Sequence, residues 1–509
     1  MNLIDDFMYN GFFSEYLPKE FSLESSNGKN IFEIWNSDRV SEDSVIVEPL
    51  SFNMSRFDKS GKRRIIYLPE ITGYIRLVLY IKEHNLLDDL IKISKDEHSF
   101  SPILKDEKEF SKFEQIYNNI IINKEQSDIG SNYITNIIDK IKRSRGAKGI
   151  LYLDIANFYL SIYTHIFPAL KLGYEKALQM FRSNSDNEEY VNYKKLDELV
   201  RGLNGNRTNG ILPGILLSRI ISEALLSCID KEIEKEKIYF VRYVDDYEIF
   251  IYDKNDIDKI ENIILNILRK YHLMLNNQKT RYEEFPYYIV DNLDKILSNY
   301  LKDKIESEEL MELFSYFFKM EDIHKGTIRY LLKSISVMDN QINCEDKELF
   351  KSYLIEILVN DNRSLIKVCE LFIKNKNEFN FNEFDKEIIK SILLKNIESN
   401  NHLEVIWLIY LMIKIFGNEI NSDMIIKIFE SDNDLAKIII LLEIDEINIK
   451  KYFKYINKEK MSWILGYQLY YLNYIDIGEL CEFINIKKQK GFYKYLKKER
   501  FSFYKKNDV

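Results

Sequence analysis

A chain of 509 residues with 46% hydrophobic and 30% charged residues, and with Gly and Pro at only 17 and 7, is too long for one ordinary core and poor in disorder-promoting composition. Collagen-like and long disordered architectures are excluded. The net charge of −9, from 72 Lys and Arg against 81 Asp and Glu, also excludes a surface uniformly built to wrap duplex nucleic acid, so any such path must be locally basic.

Met1 to Asn10 is acidic and mixed, unlike a secretory signal. Cys228, Cys344, Cys369 and Cys481 follow neither a zinc nor a disulfide spacing, which predicts a reducing, cytoplasmic setting. Up to about residue 300, strand-like runs such as Arg64 to Leu68 and Gly149 to Leu153 alternate with helical patterns, predicting an α+β domain over 1–300. Lys140, Lys142, Arg143, Arg145 and Lys148 form a basic stretch just before the second of these strands. Ile238 to Val244 and Tyr247 to Tyr252 are rich in β-branched and aromatic residues and flank Asp245-Asp246, predicting a hairpin with the Asp pair at its tip.

From about Asp303 the pattern turns to helix after helix: Thr327 to Met338, Leu354 to Asn360, Lys386 to Asn396 and Leu403 to Phe416. An all-α, helical-repeat-like domain is predicted over 301–509, although no fixed period marks it. The apolar run Val405 to Ile413, closed by Glu404 and Lys414, is too short to span a membrane, and no membrane partner is expected. At the C-terminus Lys487, Lys488, Lys490, Lys494, Lys497, Lys498, Arg500, Lys505 and Lys506 interleave with Phe492, Tyr493, Tyr495, Phe501, Phe503 and Tyr504. This composition suits single-strand binding; it equally suits a basic helix whose rings pack on the domain.

Transfer of a nucleotide from a triphosphate calls for two divalent ions about 4 Å apart, held by carboxylates converging from separate strands. An Asp-Asp turn alone is ordinary turn chemistry. Here a third carboxylate, Asp154, ends the buried strand Gly149 to Leu153 and could also cap the segment that follows. The six histidines are dispersed, His165 and His272 included, and form no ligand cluster; nor does a glycine-rich phosphate loop precede any helix.

Asp154-Ile155 with Phe158-Tyr159 and Ser161-Ile162 resembles the first catalytic motif of reverse transcriptases, and Tyr243-Val244-Asp245-Asp246 the third. Gly210-Ile211-Leu212-Pro213-Gly214, followed by Ser218-Arg219-Ile220-Ile221-Ser222-Glu223, resembles the second, although the family usually carries its proline two residues before the second glycine. Leu275 to Thr280 resembles the fourth, and Arg63 to Pro69 the finger strand. The resemblance implies a fingers-and-palm fold with Asp154, Asp245 and Asp246 as metal ligands for Mg²⁺, or for Mn²⁺ of like chemistry. It implies Lys279 as the proton donor to pyrophosphate. Arg63 and Arg64 would grip the triphosphate, Tyr159 would exclude a ribose 2′-hydroxyl, and Gly214 and Ser218 would contact the incoming nucleotide.

The long helical companion and the Ser-Arg-Ile-Ile-Ser-Glu run resemble the bacterial abortive-infection reverse transcriptases, of the AbiK and AbiA kind, and length looks most like the short member carried by P2-type prophages. That resemblance implies antiphage defence by a homo-oligomeric DNA polymerase that uses deoxynucleoside triphosphates without a template. It implies priming on a tyrosine of the protein itself, so that the single-stranded DNA product stays covalently attached. Tyr9 and Tyr16 are the candidate primers near the N-terminus. The alternatives are a conventional RNA-templated reverse transcriptase and a non-enzymatic helical scaffold with a vestigial palm. Retention of Asp154, Asp245, Asp246 and Lys279 speaks against the scaffold.

Overall fold

Alternation of large apolar residues builds a four-stranded antiparallel sheet from β3 (Gly149–Asp154), β4 (Phe240–Tyr243), β5 (Asp246–Ile251) and β6 (Arg281–Glu284), in the order β6-β3-β5-β4. Before it in the chain lie helix α1 (Leu3–Asn10), the two-stranded ribbon of β1 (Leu50–Met54) and β2 (Arg64–Leu68), and helix α2 (Asn132–Arg143). The computed structural model describes residues 3–25, 28–36, 46–54, 63–105, 109–110, 121–123, 128–130, 132–289, 293–300, 304–337, 344–417, 420–444, 449–484 and 489–506. The architecture is α+β, as the residue patterns predict.

Because strand side chains alternate between faces, the sheet has two environments. Leu151, Leu153, Tyr247 and Ile249 enter the main core. On the other face Ile150, Val241 and Phe250 form a small separate cluster with Ala147, and Asp154 and Asp246 follow in the same alternation. Behind the hairpin runs α3 (Leu216–Lys235), whose buried residues include Glu223 and Asp230.

Beyond β6 the described residues hold no further strand, only helices and isolated bridges. They include α4 (Thr327–Val337), α5 (Leu365–Lys374), α6 (His402–Phe416), α7 (Trp463–Tyr471) and α8 (Lys490–Lys498). Helix α6 is apolar nearly all round and is accordingly buried nearly all round, with helices and β1 as neighbours. Among the described residues no helix is long and apolar enough to cross a membrane.

The helical part packs directly on the fingers. The indole of Trp407 donates to the Tyr16 carbonyl at 2.7 Å, and that of Trp463 to the Leu68 carbonyl at 3.4 Å. The hydroxyls of Tyr410 and Tyr493 meet the carboxylates of Glu20 and Glu70. Buried apolar residues from both parts form one continuous cluster. The expected boundary at 300/301 adjoins residues 301–303, which with Met338 lie outside the described residues.

Of the two readings of the basic, aromatic C-terminus, ring packing is the one observed. Phe492, Tyr493, Phe501, Phe503 and Tyr504 are all buried, and the Tyr504 hydroxyl donates to Glu443 at 2.8 Å. Lys487 and Lys488 lie outside the described residues.

Candidate active site

Asp154 is the last residue of β3 and Asp246 the first of β5, and the register sets them opposite one another. Asp245 sits in the turn between β4 and β5, and its carbonyl accepts the Ile155 amide at 3.3 Å. The segment after Met274 runs alongside: Ala156 N donates to Met274 O at 2.9 Å, and Asn276 N to Asp154 O at 2.7 Å. Lys279 is thereby brought back to the sheet, with Nζ 2.5 Å from Asp154 Oδ2, while Asn276 Nδ2 donates to Oδ1 at 2.9 Å. The four residues predicted to carry the chemistry are therefore together, and Asn276 joins them.

Burial, then the Asp154 charge, pushes the Asp245 carboxyl up to about 6. Asp246 keeps a solvent-facing side, yet crowding by protein and by the Asp245 and Asp154 carboxylates raises it as well. Burial works against the Lys279 charge, but the hydrogen bond to Asp154 and the three carboxylates outweigh it, and its net shift is upward. Hard oxygen donors crowded until they resist ionisation fit a divalent cation such as Mg²⁺.

Tyr159 follows Asp154 on a short helix, Phe158–Ser161. Burial raises its phenol, and Ser222 Oγ donates to the hydroxyl at 3.4 Å. Asp245 and Arg219 lie within electrostatic reach. Gly214 has φ +114, and a Cβ there would stand 2.4 Å from Ile66 Cγ2, while Tyr67 N donates to Pro213 O at 2.9 Å. The glycine lets the second motif lie against finger strand β2.

Two predicted substrate contacts need correction. Arg63 donates from Nε to Asn53 Oδ1 at 2.8 Å and pairs with the buried carboxylate of Glu404, so it ties the fingers to α6. Ser218 is 3% exposed, turned into the core along α3. Arg64, in contrast, is exposed, and its charge acts on both Asp245 and Tyr16. Tyr16 is also within reach of Tyr159, and burial pushes its phenol up to about 12. Tyr9 lies elsewhere, against Phe32 and beside Asp5, Glu33 and Glu24.

No sequence motif announces the buried ionic network behind the tip. Arg242, fully buried, donates from Nε to Asp230 at 2.8 Å and from Nη1 to Glu223 at 3.1 Å. Tyr247 donates its hydroxyl to Asp230 at 2.8 Å, and Ser101 donates to Glu223 at 2.8 Å. Ser101 Oγ also accepts the Val244 amide at 2.9 Å. The available signal is the alternation of β4, which puts a charged residue on the same side as Phe240.

Residues 93–331, a little under half of the chain, match the family model described as reverse transcriptase (RNA-dependent DNA polymerase). That span is a nucleotidyltransferase domain of the reverse-transcriptase type. No curated protein matches the chain. Among solved structures, telomerase from Candida albicans in complex with a fragment of telomeric RNA is similar at 15% identity and a TM-score of 0.28, over 74% of this chain and 63% of that one. Apo telomerase from Candida tropicalis is similar at 13% identity and a TM-score of 0.32, over 82% of this chain and 70% of that one. The form truncated from its C-terminal domain is similar at 13% and 0.30, over 52% of this chain and 59% of that one. The chain thus spans less than two thirds of the length of the Candida albicans telomerase and of the truncated Candida tropicalis form.

Proposed function

We propose that this chain is a DNA polymerase that begins synthesis on one of its own tyrosines, without a template, and that this activity serves defence against phage. The observation that carries the reading is the position of Tyr16: Arg64 acts on both its phenol and Asp245, and Tyr159 is a neighbour of both. Tyr16 and Asp245 thus share Arg64 and Tyr159 as electrostatic neighbours. Tyr9, ringed by carboxylates of its own surroundings, is the weaker candidate.

In this reading Asp154, Asp245 and Asp246 would hold the divalent ions, Mg²⁺ or Mn²⁺. When bound, such ions activate the attacking hydroxyl and neutralise the triphosphate. Arg64 offers a cation to the triphosphate, and Gly214 leaves room for backbone beside the nucleotide. Tyr159 presents its ring where a 2′-hydroxyl would lie. The Lys279 ammonium, kept protonated by its carboxylate neighbours, can give a proton to departing pyrophosphate. The phenol oxygen of Tyr16 forms the new bond to the α-phosphorus, its proton is lost to solvent, and the bond to the bridging oxygen breaks. Segments 1–300 and 301–509 are proposed as the catalytic and strand-guiding parts, and assembly into homo-oligomers as the working state.

The test is incubation of the purified chain with Mg²⁺ and labelled deoxynucleotides, without primer or template. Label should stay on the protein after denaturation and be released by protease. Tyr16→Phe should remove it and Tyr9→Phe should not; a strict need for added RNA template would favour the conventional reading instead. Loss of phage protection in cells carrying Asp245→Asn checks the biological role.

A further inference from the structure

We propose that the end of the palm sheet remote from the aspartates is a binding track for single-stranded DNA. This rests on the reading of the chain as a DNA polymerase, but it concerns a separate surface. Strand order and register bring three flanking residues into one row there, Phe285 after β6, Lys148 before β3 and Tyr252 after β5, with Tyr239 before β4 opposite Phe250, two residues inward on the same face. Backbone hydrogen bonds fix these positions, with Phe285 N donating to Lys148 O at 3.1 Å, Lys148 N to Ile251 O at 2.7 Å and Phe250 N to Tyr239 O at 2.9 Å. At about 4.8 Å between strands the four positions are roughly 14 Å across, and at about 3.3 Å per residue the row lies some 20 Å from Asp154.

The rings are uncovered: Phe285 is 76%, Tyr239 64% and Tyr252 40% exposed, and Tyr239 and Tyr252 meet edge to face at 5.9 Å. Single exposed rings are common on protein surfaces, whereas a group of them invites an occupant. Lys148 is exposed within the row, and Arg145, also exposed, lies within electrostatic reach of the Tyr252 hydroxyl. Both belong to the basic stretch that the aspartate site leaves unused.

The nearby negative charge is partly paired. Glu284 pairs with Lys254, and Asp253 accepts the Asn255 amide at 3.1 Å. In a chain of net charge −9, the exposed Arg145 and Lys148 offer a polyanion local cations here. Rings beside cations suit a strand whose bases are free to stack and whose phosphates need neutralising; a duplex keeps its bases stacked and gains nothing from the rings.

The experiment is fluorescence anisotropy of the full chain with a fluorescein-labelled 20-mer of oligothymidylate, and with a duplex of the same length. Tyr239→Ala/Tyr252→Ala/Phe285→Ala should weaken oligothymidylate binding tenfold or more and duplex binding less than twofold. Arg145→Gln/Lys148→Gln should lower the slope of log affinity against log salt by about 1.4, at about 0.7 per phosphate contact on a single strand. All five side chains are exposed, so unfolding is not the expected outcome, and thermal melting checks it. The same losses in an Asp245→Asn background keep the result independent of polymerisation. Unchanged affinity in both variants, equal loss on duplex, or a wild-type chain that does not bind the 20-mer would each overturn the proposal. So would a shift from oligomer to monomer on ring removal without any change in binding.

Discussion

Arg242 donates from Nη1 to the carbonyl of Val244 at 2.8 Å, and Val244 holds a left-handed backbone with φ +53. A β-branched residue in that region costs about 1–3 kcal/mol. The surroundings must therefore hold it, and here Arg242 takes the carbonyl while Ser101 takes the amide. The turn so fixed carries Asp245 and Asp246 to their places beside Asp154.

Arg242→Met should cost about 3–5 kcal/mol, because it leaves the Glu223 and Asp230 carboxylates buried without their cation. Val244→Gly should stay within about 1 kcal/mol of the parent, since glycine accepts the same φ. Urea denaturation reads both. Nucleotide incorporation should be lost in the first and kept in the second; a folded, fully active Arg242→Met chain would show that the tip needs no such support.

The crowded carboxylates predict a pH dependence of stability. Burial lifts Asp245 from 3.8 to about 6 and also lifts Asp246, so the folded chain retains protons that the unfolded chain has already released. Their contribution is fully present below the unfolded values and is lost as pH rises through the folded ones. Without metal, the melting temperature of the parent relative to Asp245→Asn/Asp246→Asn should therefore fall between pH 5 and pH 8. Added Mg²⁺ should restore more at pH 8 than at pH 5. Parallel curves for the two chains would count against the crowding, and polymerisation by the double variant would remove the site assignment altogether.

Arg63 and Arg64 are neighbours with opposite duties. Arg63→Ala should cost about 1–3 kcal/mol, for it removes one ion-pair partner of Glu404, whose side chain is 3% exposed. The KM for deoxynucleotide should be unaltered. Arg64→Ala should leave stability within about 0.5 kcal/mol, as surface substitutions usually do, and should raise KM. Steady-state kinetics with thermal melting separates the two, and a reversed pattern would assign the triphosphate to Arg63.

For sugar selection it is the ring of Tyr159 that matters. Tyr159→Phe should keep discrimination against ribonucleotides while losing the Ser222 contact at 3.4 Å, whereas Tyr159→Ala should relax it. Competition between dCTP and CTP measures this directly, and equal selectivity in all three chains would remove Tyr159 from the sugar pocket.

The hairpin, Asp154 and Lys279 are legible in the sequence because strand alternation and turn chemistry act locally and the motifs keep their order. Ser218 and Arg63 mislead for a shared reason: a polar residue beside a motif faces whichever way its helix or strand turns, and that direction depends on distant partners such as Glu404. The Arg242 network is hidden because its carboxylates come from α3, outside the strand that carries Arg242. At the C-terminus composition alone leaves two readings, yet Phe492, Tyr493 and Leu496 already form a helical stripe, the pattern of a face turned inward. Asn276 is easily overlooked beside Lys279, since an amide reaches a carboxylate only where the chain folds back.

The contacts of Trp407 with Tyr16, Trp463 with Leu68 and Tyr493 with Glu70 have a consequence for how this molecule can be divided. A gene cut after codon 300 would encode fingers with their supporting wall removed and a broad oily face turned to water. Calorimetry of the whole chain should then show one cooperative transition, and a swapped palm would need the native helical half to come with it.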